Sequence, residues 1–361
     1  MVNLSRDFFI ALSKNKFLNK NAKRWGFQLG ANKFVAGTNI DEVIEVINNL
    51  NRAGIRCTLD HLGEFIFSKE EAIEAKKQIL YTLDRIYFEQ LDCHVSVKLT
   101  QLGLDIDYSF CVENMLEILN KANQYNIFVN IDMEDYSHYE RTLKVLKELQ
   151  KYYENVGTVI QSYLYRSRED LEKLKNVRIR IVKGAYKENG EVAYQTKKEI
   201  DREFISLVKE RLLGHSYTSI ATHDHSIIQE LIRFVNDNGV KKDNFELQML
   251  YGFRTEMQYE LAKEGYNFCT YIPFGTDWFG YFMRRLAERP QNINLIVKDK
   301  LYTKDNRLKK QPIVLSLILT LSFIFWRLGK YNTFSLHNSN YGIQPKGLAN
   351  DKISKRKKLK G

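Results

Sequence analysis

The residues whose types and spacing most directly suggest chemistry lie in the stretch 271–289, YIPFGTDWFGYFMRRLAER. Four side chains recur there at i, i+3, i+4 and i+7, which places them on one face of a helix: Tyr281, Arg284, Arg285 and Glu288. Neighbouring guanidinium groups suit a planar anion, because each offers a fixed fork of donors to a carboxylate or a phosphate. A solvated helix face with a weak Arg–Glu ion pair is the alternative interpretation.

Charges elsewhere in the chain favour a small anionic ligand at this helix face. Lys98 adds a third cation to Arg284 and Arg285, and Glu288 and Asp132 compensate the three only in part. A bound anion would balance the set. Tyrosine rings before and within the helix would exclude water above the ligand.

Most of the chain alternates between apolar, β-favouring runs and amphipathic helical patterns. The predicted strands span residues 55–59, 95–99, 127–133, 158–164, 177–182, 219–223, 245–251 and 268–274. The predicted helices between them span residues 69–90, 110–125, 137–153, 168–174, 198–213, 226–238 and 254–263, and the RRLAE helix follows the last strand. A helical lead-in, 1–33, and a helix at 41–52 come before the first strand.

Eight strand-then-helix units predict parallel strands that are joined by crossovers and closed into a barrel. The expected fold class is therefore α/β, a (β/α)8 TIM-type barrel with N-terminal helices and an irregular C-terminal tail. We expect residues 1–298 to form the barrel with its lead-in and residues 299–361 to form the tail. An open doubly wound sheet is the alternative, but the G-x-G-x-x-G run that usually marks its nucleotide site is absent from the sequence.

Polar residues recur where the predicted strands end, and functional side chains of such barrels lie at the carboxyl ends of the strands. They are Glu64, Lys98, Asp132, Glu134, Gln161, Arg180, Lys183, Thr222, His223, Gln248 and Tyr271. Any single one could be a satisfied group of the barrel interior. Because so many strand ends behave alike, the pattern indicates one shared site.

Three cues within this set point to different chemistries. The segment RIVKGAY, 180–186, combines cations with a Gly-Ala pair that a ligand can approach closely, which suits a flavin. A desolvated Lys98 or Lys183 could form a Schiff base, as in a lyase or aldolase on a barrel. His223 and His225 could ligate a metal, but no third ligand clusters nearby, so no metal site is predicted.

The net charge of +11 comes from the tail, because residues 299–361 hold fourteen Lys/Arg and three Asp whereas residues 1–298 hold 41 basic and 41 acidic residues. A role in nucleic-acid binding is therefore not expected of the main body.

The four cysteines form no C-x-x-C pair, and the N-terminus lacks the apolar region of a signal peptide, so we expect a cytoplasmic protein. The apolar run 312–326 is short for a membrane span; it is either a peripheral membrane contact or a non-functional extension. A non-enzymatic, basic membrane-binding protein remains the alternative to an enzyme.

Seven stretches together resemble the proline dehydrogenase family and follow that family's order. They are SVKLTQLG at 96–103, NIDMED at 130–135, QSYLYR at 161–166, RIRIVKGAY at 178–186, ATHDH at 221–225, ELQMLYG at 246–252 and YIPFGTDWFGYFMRRLAE at 271–288. The resemblance covers roughly residues 1–298. It implies a monofunctional (β/α)8 flavoenzyme that oxidises L-proline to 1-pyrroline-5-carboxylate, the first step of proline degradation to glutamate. The hydride would pass to N5 of FAD and the electrons to a quinone or another membrane acceptor.

The resemblance also implies a role for individual residues. Those implied to be catalytic are Asp132, Arg180 and Tyr271. Those implied to bind the substrate are Lys98, Leu250, Tyr281, Arg284, Arg285 and Glu288. Those implied to bind FAD are Met133, Gln161, Arg180, Lys183, Gly184, Ala185, Tyr186, Thr222 and His223.

Overall fold

The computed structural model describes Leu12 and residues 33–63, 66–214 and 216–288, with the backbone alone described for 286–288. Several predictions fall outside this part of the chain: most of the helical lead-in, Glu64, the side chain of Glu288 and the whole tail from residue 299. Within the described residues, no helix has both the length and the apolar character needed to cross a bilayer.

Strands and helices alternate from residue 40 onward. The strands are β1 Ile55–His61, β2 Cys93–Val97, β3 Val129–Ile131, β4 Val156–Gln161, β5 Ile179–Val182, β6 Thr218–Ala221, β7 Phe245–Leu250 and β8 Phe268–Phe274. The helices are α1 Ile40–Arg52, α2 Lys69–Phe88, α3 Tyr108–Gln124, α4 Tyr136–Leu149, α5 Ser167–Lys173, α6 Lys197–Leu212, α7 His225–Asp237, α8 Thr255–Lys263 and α9 Trp278–Glu288. Short 3-10 turns occur at Thr100–Leu102 and Lys242–Asn244.

The strands close into a barrel in sequence order, β1 to β8, and every neighbouring pair is parallel. The predicted (β/α)8 barrel is thus confirmed. The strands are buried almost throughout, as expected for parallel strands covered by helices. Each helix contributes an apolar face; in α1, for example, Val43 and Ile47 are fully buried while Asn39 caps the first turn.

The barrel interior is polar towards the carboxyl ends of the strands. Thr58 and Ser96 share a hydrogen bond of 3.0 Å between β1 and β2. Arg180 on β5 donates from Nη2 to Ser96 Oγ at 2.8 Å across the interior. Buried polar side chains need hydrogen-bond partners, and these residues provide them for one another. They therefore form a polar layer of the barrel interior that can support a polar site.

The first strand is longer than predicted, and this difference bears on the site. The predicted strand ended at residue 59, whereas β1 continues through Asp60 and His61 because they pair with Pro273 and Phe274 of the equally long β8. Pairing with a neighbouring strand therefore overrides the low β propensity of the aspartate.

Candidate active site

A cavity of about 630 Å³ lies at the carboxyl ends of the strands. The structure brings to its walls every residue with a described side chain that the family resemblance implies to be catalytic, substrate-binding or FAD-binding: Lys98, Asp132, Met133, Gln161, Arg180, Lys183, Gly184, Ala185, Tyr186, Thr222, His223, Leu250, Tyr271, Tyr281, Arg284 and Arg285. Glu288 belongs to α9, but its side chain is outside the description. Placement at one cavity is what the strand-end pattern required; the individual roles stay predictions.

An alternating chain of buried charges forms one wall of the cavity. Lys98 Nζ lies 2.8 Å from Asp60 Oδ2 and 3.2 Å from Asp132 Oδ2. Arg180 Nη1 donates to the other oxygen of Asp132 at 2.7 Å. Two anions and two cations therefore neutralise each other, which is the condition for burying them at tolerable cost.

The protonation states follow from these contacts. Burial opposes the charged form of Lys98, but Asp60, Tyr271 and Asp132 outweigh burial and hold its pKa well above the usual range. Burial alone would raise the pKa of Asp132, yet Lys98 and Arg180 lower it overall. An ammonium held so firmly in its charged form is a poor nucleophile, which disfavours the Schiff-base interpretation at Lys98.

Tyr271 connects β8 to this charge cluster. Its hydroxyl donates to Asp132 Oδ2 at 2.7 Å and accepts from Lys98 Nζ at 3.4 Å, while the Arg180 guanidinium lies 5.2 Å from its ring centroid. The pKa of the phenol is raised mainly by burial and further by the carboxylates of Asp132 and Asp60. Tyr271 is therefore a neutral donor that completes the coordination of Asp132.

Helix α9 supplies a second, cationic part of the cavity lining. Trp278 is buried, and its ring contacts that of Phe282 at 5.8 Å, so the apolar side of α9 anchors the helix. The other side brings half-buried Arg284 and Arg285 to the cavity, and the Arg285 guanidinium lies 5.2 Å from the Tyr281 ring centroid. Half-buried arginines in a cavity lining favour the ligand-binding interpretation of this face over a solvated surface.

The β6–β7 side of the cavity decides the metal alternative. His223 Nε2 accepts a hydrogen bond from the backbone N–H of Leu250 at 3.0 Å, so its lone pair is already used and the proton is on Nδ1. A His223–His225 metal pair would have to give up that bond. Lys183, the second Schiff-base candidate, forms ion pairs with Asp201 and, at 3.5 Å, with Asp224.

Two strand-end residues differ from expectation. Glu134 does not line the cavity; its carboxylate accepts from Thr100 Oγ1 at 2.6 Å and from Thr100 N at 3.1 Å, which fixes the turn after β2. Asp60, by contrast, was missed, although it is 1% exposed and lines the cavity. The available signal was the spacing Thr58-x-Asp60, which continues the inward-facing side of β1 by one pleat.

Comparison with known proteins decides the family. The proline dehydrogenase family model matches residues 43–296. The chain is 45% identical over 297 residues to proline dehydrogenase 2 of Bacillus subtilis (strain 168), with 82% of this chain and 98% of that protein covered. It is 40% identical over 286 residues to the proline dehydrogenase of Deinococcus radiodurans, with 77% and 91% covered.

This chain belongs to the proline dehydrogenase family. The matched segment of that family contains the barrel strands and α9, and hence the cavity with its cation pair. The resemblance noted from the seven stretches is confirmed.

A solved structure supports the same fold. The chain superposes on proline utilization A from Bdellovibrio bacteriovorus, inactivated by N-propargylglycine, with a TM-score of 0.68 and 24% identity. The match covers 74% of this chain and 33% of that one, so the chain spans about a third of its length. At this identity the similarity shows the fold alone.

Proposed function

We propose that this protein oxidises L-proline to 1-pyrroline-5-carboxylate with FAD as its cofactor. The observation that carries the proposal is a pair of guanidinium groups on α9 that shares one cavity with a neutral Asp60–Lys98–Asp132–Arg180 cluster. Membership of the proline dehydrogenase family identifies the reaction that such a cavity serves.

Charge balance supports binding of an amino-acid carboxylate at Arg284 and Arg285. The four buried charges of the cluster cancel, so the cluster leaves the positive charge of the two arginines uncompensated. A carboxylate matches their donors in geometry and sign. Anchored there, the substrate would extend its ring away from α9 towards the charge cluster.

The remaining walls suit a small saturated ring. Tyr271 and Tyr281 offer aromatic faces and Leu250 offers an aliphatic one, and all three line the cavity. Enclosure by these side chains would exclude water and fix the ring carbon beside nitrogen for transfer of its hydride. Positioning of this kind supplies much of the acceleration in such reactions.

The residues on the β4–β7 side fit a flavin. Among the described residues, Arg180 Nε, Gln161 Oε1 and Gln248 Oε1 are buried with no hydrogen-bond partner, although their side chains line the cavity. One donor and two acceptors of this kind are satisfied by a polar heterocycle or its hydroxylated chain. FAD, when bound, would supply the two-electron acceptor. The residues proposed to hold it are Met133, Gln161, Arg180, Lys183, Gly184, Ala185, Tyr186, Thr222 and His223.

Gly184 offers a direct test of the cofactor wall. Its φ is +114°, and a Cβ added there would lie 2.5 Å from ring carbons of the buried Tyr163. We expect Gly184→Ala to displace the 183–186 segment, because neither the backbone nor the ring can yield easily. Flavin retained after gel filtration should fall at least tenfold, measured by absorbance per mole of protein.

Gly190 is the matched control in the same loop. An added Cβ there meets only Gln195 Cγ at 3.7 Å, an ordinary contact. Gly190→Ala should therefore retain flavin like the wild type. Equal retention by both variants would contradict the placement of the cofactor against Gly184.

The proposed final acceptor is a membrane quinone, reached by peripheral contact of a cytoplasmic enzyme with the membrane. Transfer of electrons from proline to a water-soluble quinone analogue would test the quinone as acceptor. Stimulation of that transfer by lipid vesicles would test the membrane contact.

The cheapest test of the function is spectroscopic. The purified protein should be yellow, and L-proline added without oxygen should bleach the flavin absorbance while D-proline should not. A colourless protein that cannot be reconstituted with FAD would overturn the proposal. A lysine adduct trapped by borohydride would favour the Schiff-base alternative instead.

A further inference from the structure

The buried charge cluster consists of Asp60, Lys98, Asp132 and Arg180. Asp60 is the one of these four to which the resemblance to the proline dehydrogenase family assigned no role. It lies on β1 and is 1% exposed, and its carboxylate contacts Lys98 Nζ at 2.8 Å. That contact is shorter than the 3.2 Å from the same ammonium to Asp132. Lys98 is therefore paired more closely with Asp60 than with Asp132, the residue implied to be catalytic.

Asp132 has little capacity left for Lys98. One of its oxygens accepts from Arg180 at 2.7 Å and from Asn130 at 3.0 Å, and the other accepts from Tyr271 at 2.7 Å. A second carboxylate is needed if the ammonium is to stay charged without drawing Asp132 away from these donors.

We propose that Asp60 is a positioning residue for proline oxidation, which keeps Lys98 protonated and fixed between Asp132 and Tyr271. The inference rests on the proposed function. Asp60 acts through the lysine: it leaves Asp132 free to hold Arg180 and Tyr271, and it keeps the buried charge cluster neutral.

Among the described residues, five charged or titratable groups around Lys98 enter the expected pH dependence. They are Asp60 on β1, Asp132 after β3, Glu134 beyond it, Arg180 on β5 and Tyr271 on β8. Among the neighbouring charges, the Asp60 carboxylate raises the pKa of Lys98 most, so its removal should lower that pKa. An opposite charge at this range shifts a pKa by about 1–3 units.

The test uses the full-length flavoprotein and the isosteric variant Asp60→Asn. The alkaline limb of its kcat/KM profile for L-proline should move about 1–3 pH units lower. We expect kcat to begin its alkaline fall at a lower pH than in the wild type while KM changes less, because the arginine pair is untouched. Trace labelling of Lys98 with acetic anhydride, read by mass spectrometry, should show the amine becoming reactive at lower pH than in the wild type.

A double-mutant cycle separates positioning from a direct or merely structural role. If Asp60 acts through the lysine, Asp60→Asn combined with Lys98→Met should be no less active and no less stable than Lys98→Met alone. This comparison remains valid even if the single Asp60→Asn variant folds poorly. Additive losses of activity and stability in the double variant would overturn the proposal, as would an unchanged labelling profile in a folded Asp60→Asn protein.

Asp170 provides the control. It is equally buried and pairs with Arg166 and Tyr139, but it does not line the cavity. Asp170→Asn should lower stability and leave the alkaline limb of the kcat/KM profile where it is.

The failure of the proposed function can be told apart from the failure of this inference. If proline does not bleach the wild-type flavin while the labelling of Lys98 still shifts in Asp60→Asn, the proposed function fails and the Asp60–Lys98 coupling stands.

Discussion

Replacement of Arg285 by methionine is expected to raise KM for L-proline about 100-fold while the protein keeps its flavin. Arg285 reaches the cavity from α9 and shares its lining with the neutral charge cluster. Loss of one partner from a desolvated charge pair costs about 2–5 kcal/mol, and each 1.4 kcal/mol is tenfold in affinity. Because Arg285 is half-buried, we expect a value in the lower half of that range. Steady-state kinetics, with the flavin content measured in parallel, provide the check.

Arg202 is the matched control, since it is an exposed arginine on α6 that does not line the cavity. Arg202→Met should leave both KM and flavin content unchanged. If Arg285→Met also left KM unchanged, the carboxylate clamp would have to be abandoned. If it released the flavin instead, the arginine would belong to the cofactor wall.

The fold was predictable because each barrel unit carries its own local signal. Every strand of a closed parallel barrel is covered by helices, so each appears in the sequence as a short apolar run followed by an amphipathic pattern. The strand ends were predictable for a related reason: a polar residue directly after an apolar run lies where the carboxyl ends of the strands converge. Asp132 follows directly after β3, whereas Arg180 and Tyr271 are polar residues within the apolar runs of β5 and β8.

The strand-end pattern could not decide which of two nearby polar residues faces the cavity. Asp132 and Glu134 both follow β3, yet Asp132 enters the charge cluster whereas Glu134 fixes the turn at Thr100. The choice depends on partners that lie more than thirty positions away in the chain, at Thr100 and Arg180. No local pattern contains them.

Asp60 was missed for a similar reason. The apolar run of the first strand ends at Leu59, and only the pairing of Asp60 with Pro273 of β8 extends the strand past it. The sequence pointed instead to Glu64, which lies outside the described residues. A buried acid that neutralises a lysine from the next strand becomes visible only when the register of the two strands is known.

Asp132→Asn should produce the second large effect, a fall in kcat of about 100- to 1000-fold with weakened flavin binding. The carboxylate accepts from Lys98, Arg180 and Tyr271 at once, and the amide that replaces it carries no charge. Breaking a buried pair by removal of one partner costs about 3–5 kcal/mol, because the other charge stays buried. Two cations would then share Asp60 alone, so Arg180 should leave its position beside the proposed flavin wall. Stopped-flow bleaching by proline and a flavin-release titration measure the two losses.

The pH dependence of stability distinguishes this electrostatic cause from a packing defect. The pKa of Asp132 is lowered from 3.8, so its carboxylate contributes to the free energy of unfolding above that pH and the contribution is lost as the pH falls through the lowered value. The difference in melting temperature between the wild type and Asp132→Asn should therefore narrow in acid. Asp84, which pairs with Lys121 at 2.6 Å and with Tyr125 at 2.8 Å away from the cavity, gives a control with the same partner types. Asp84→Asn should leave kcat intact, and a loss of activity there equal to that of Asp132→Asn would mean that global stability, not the cavity, governs both.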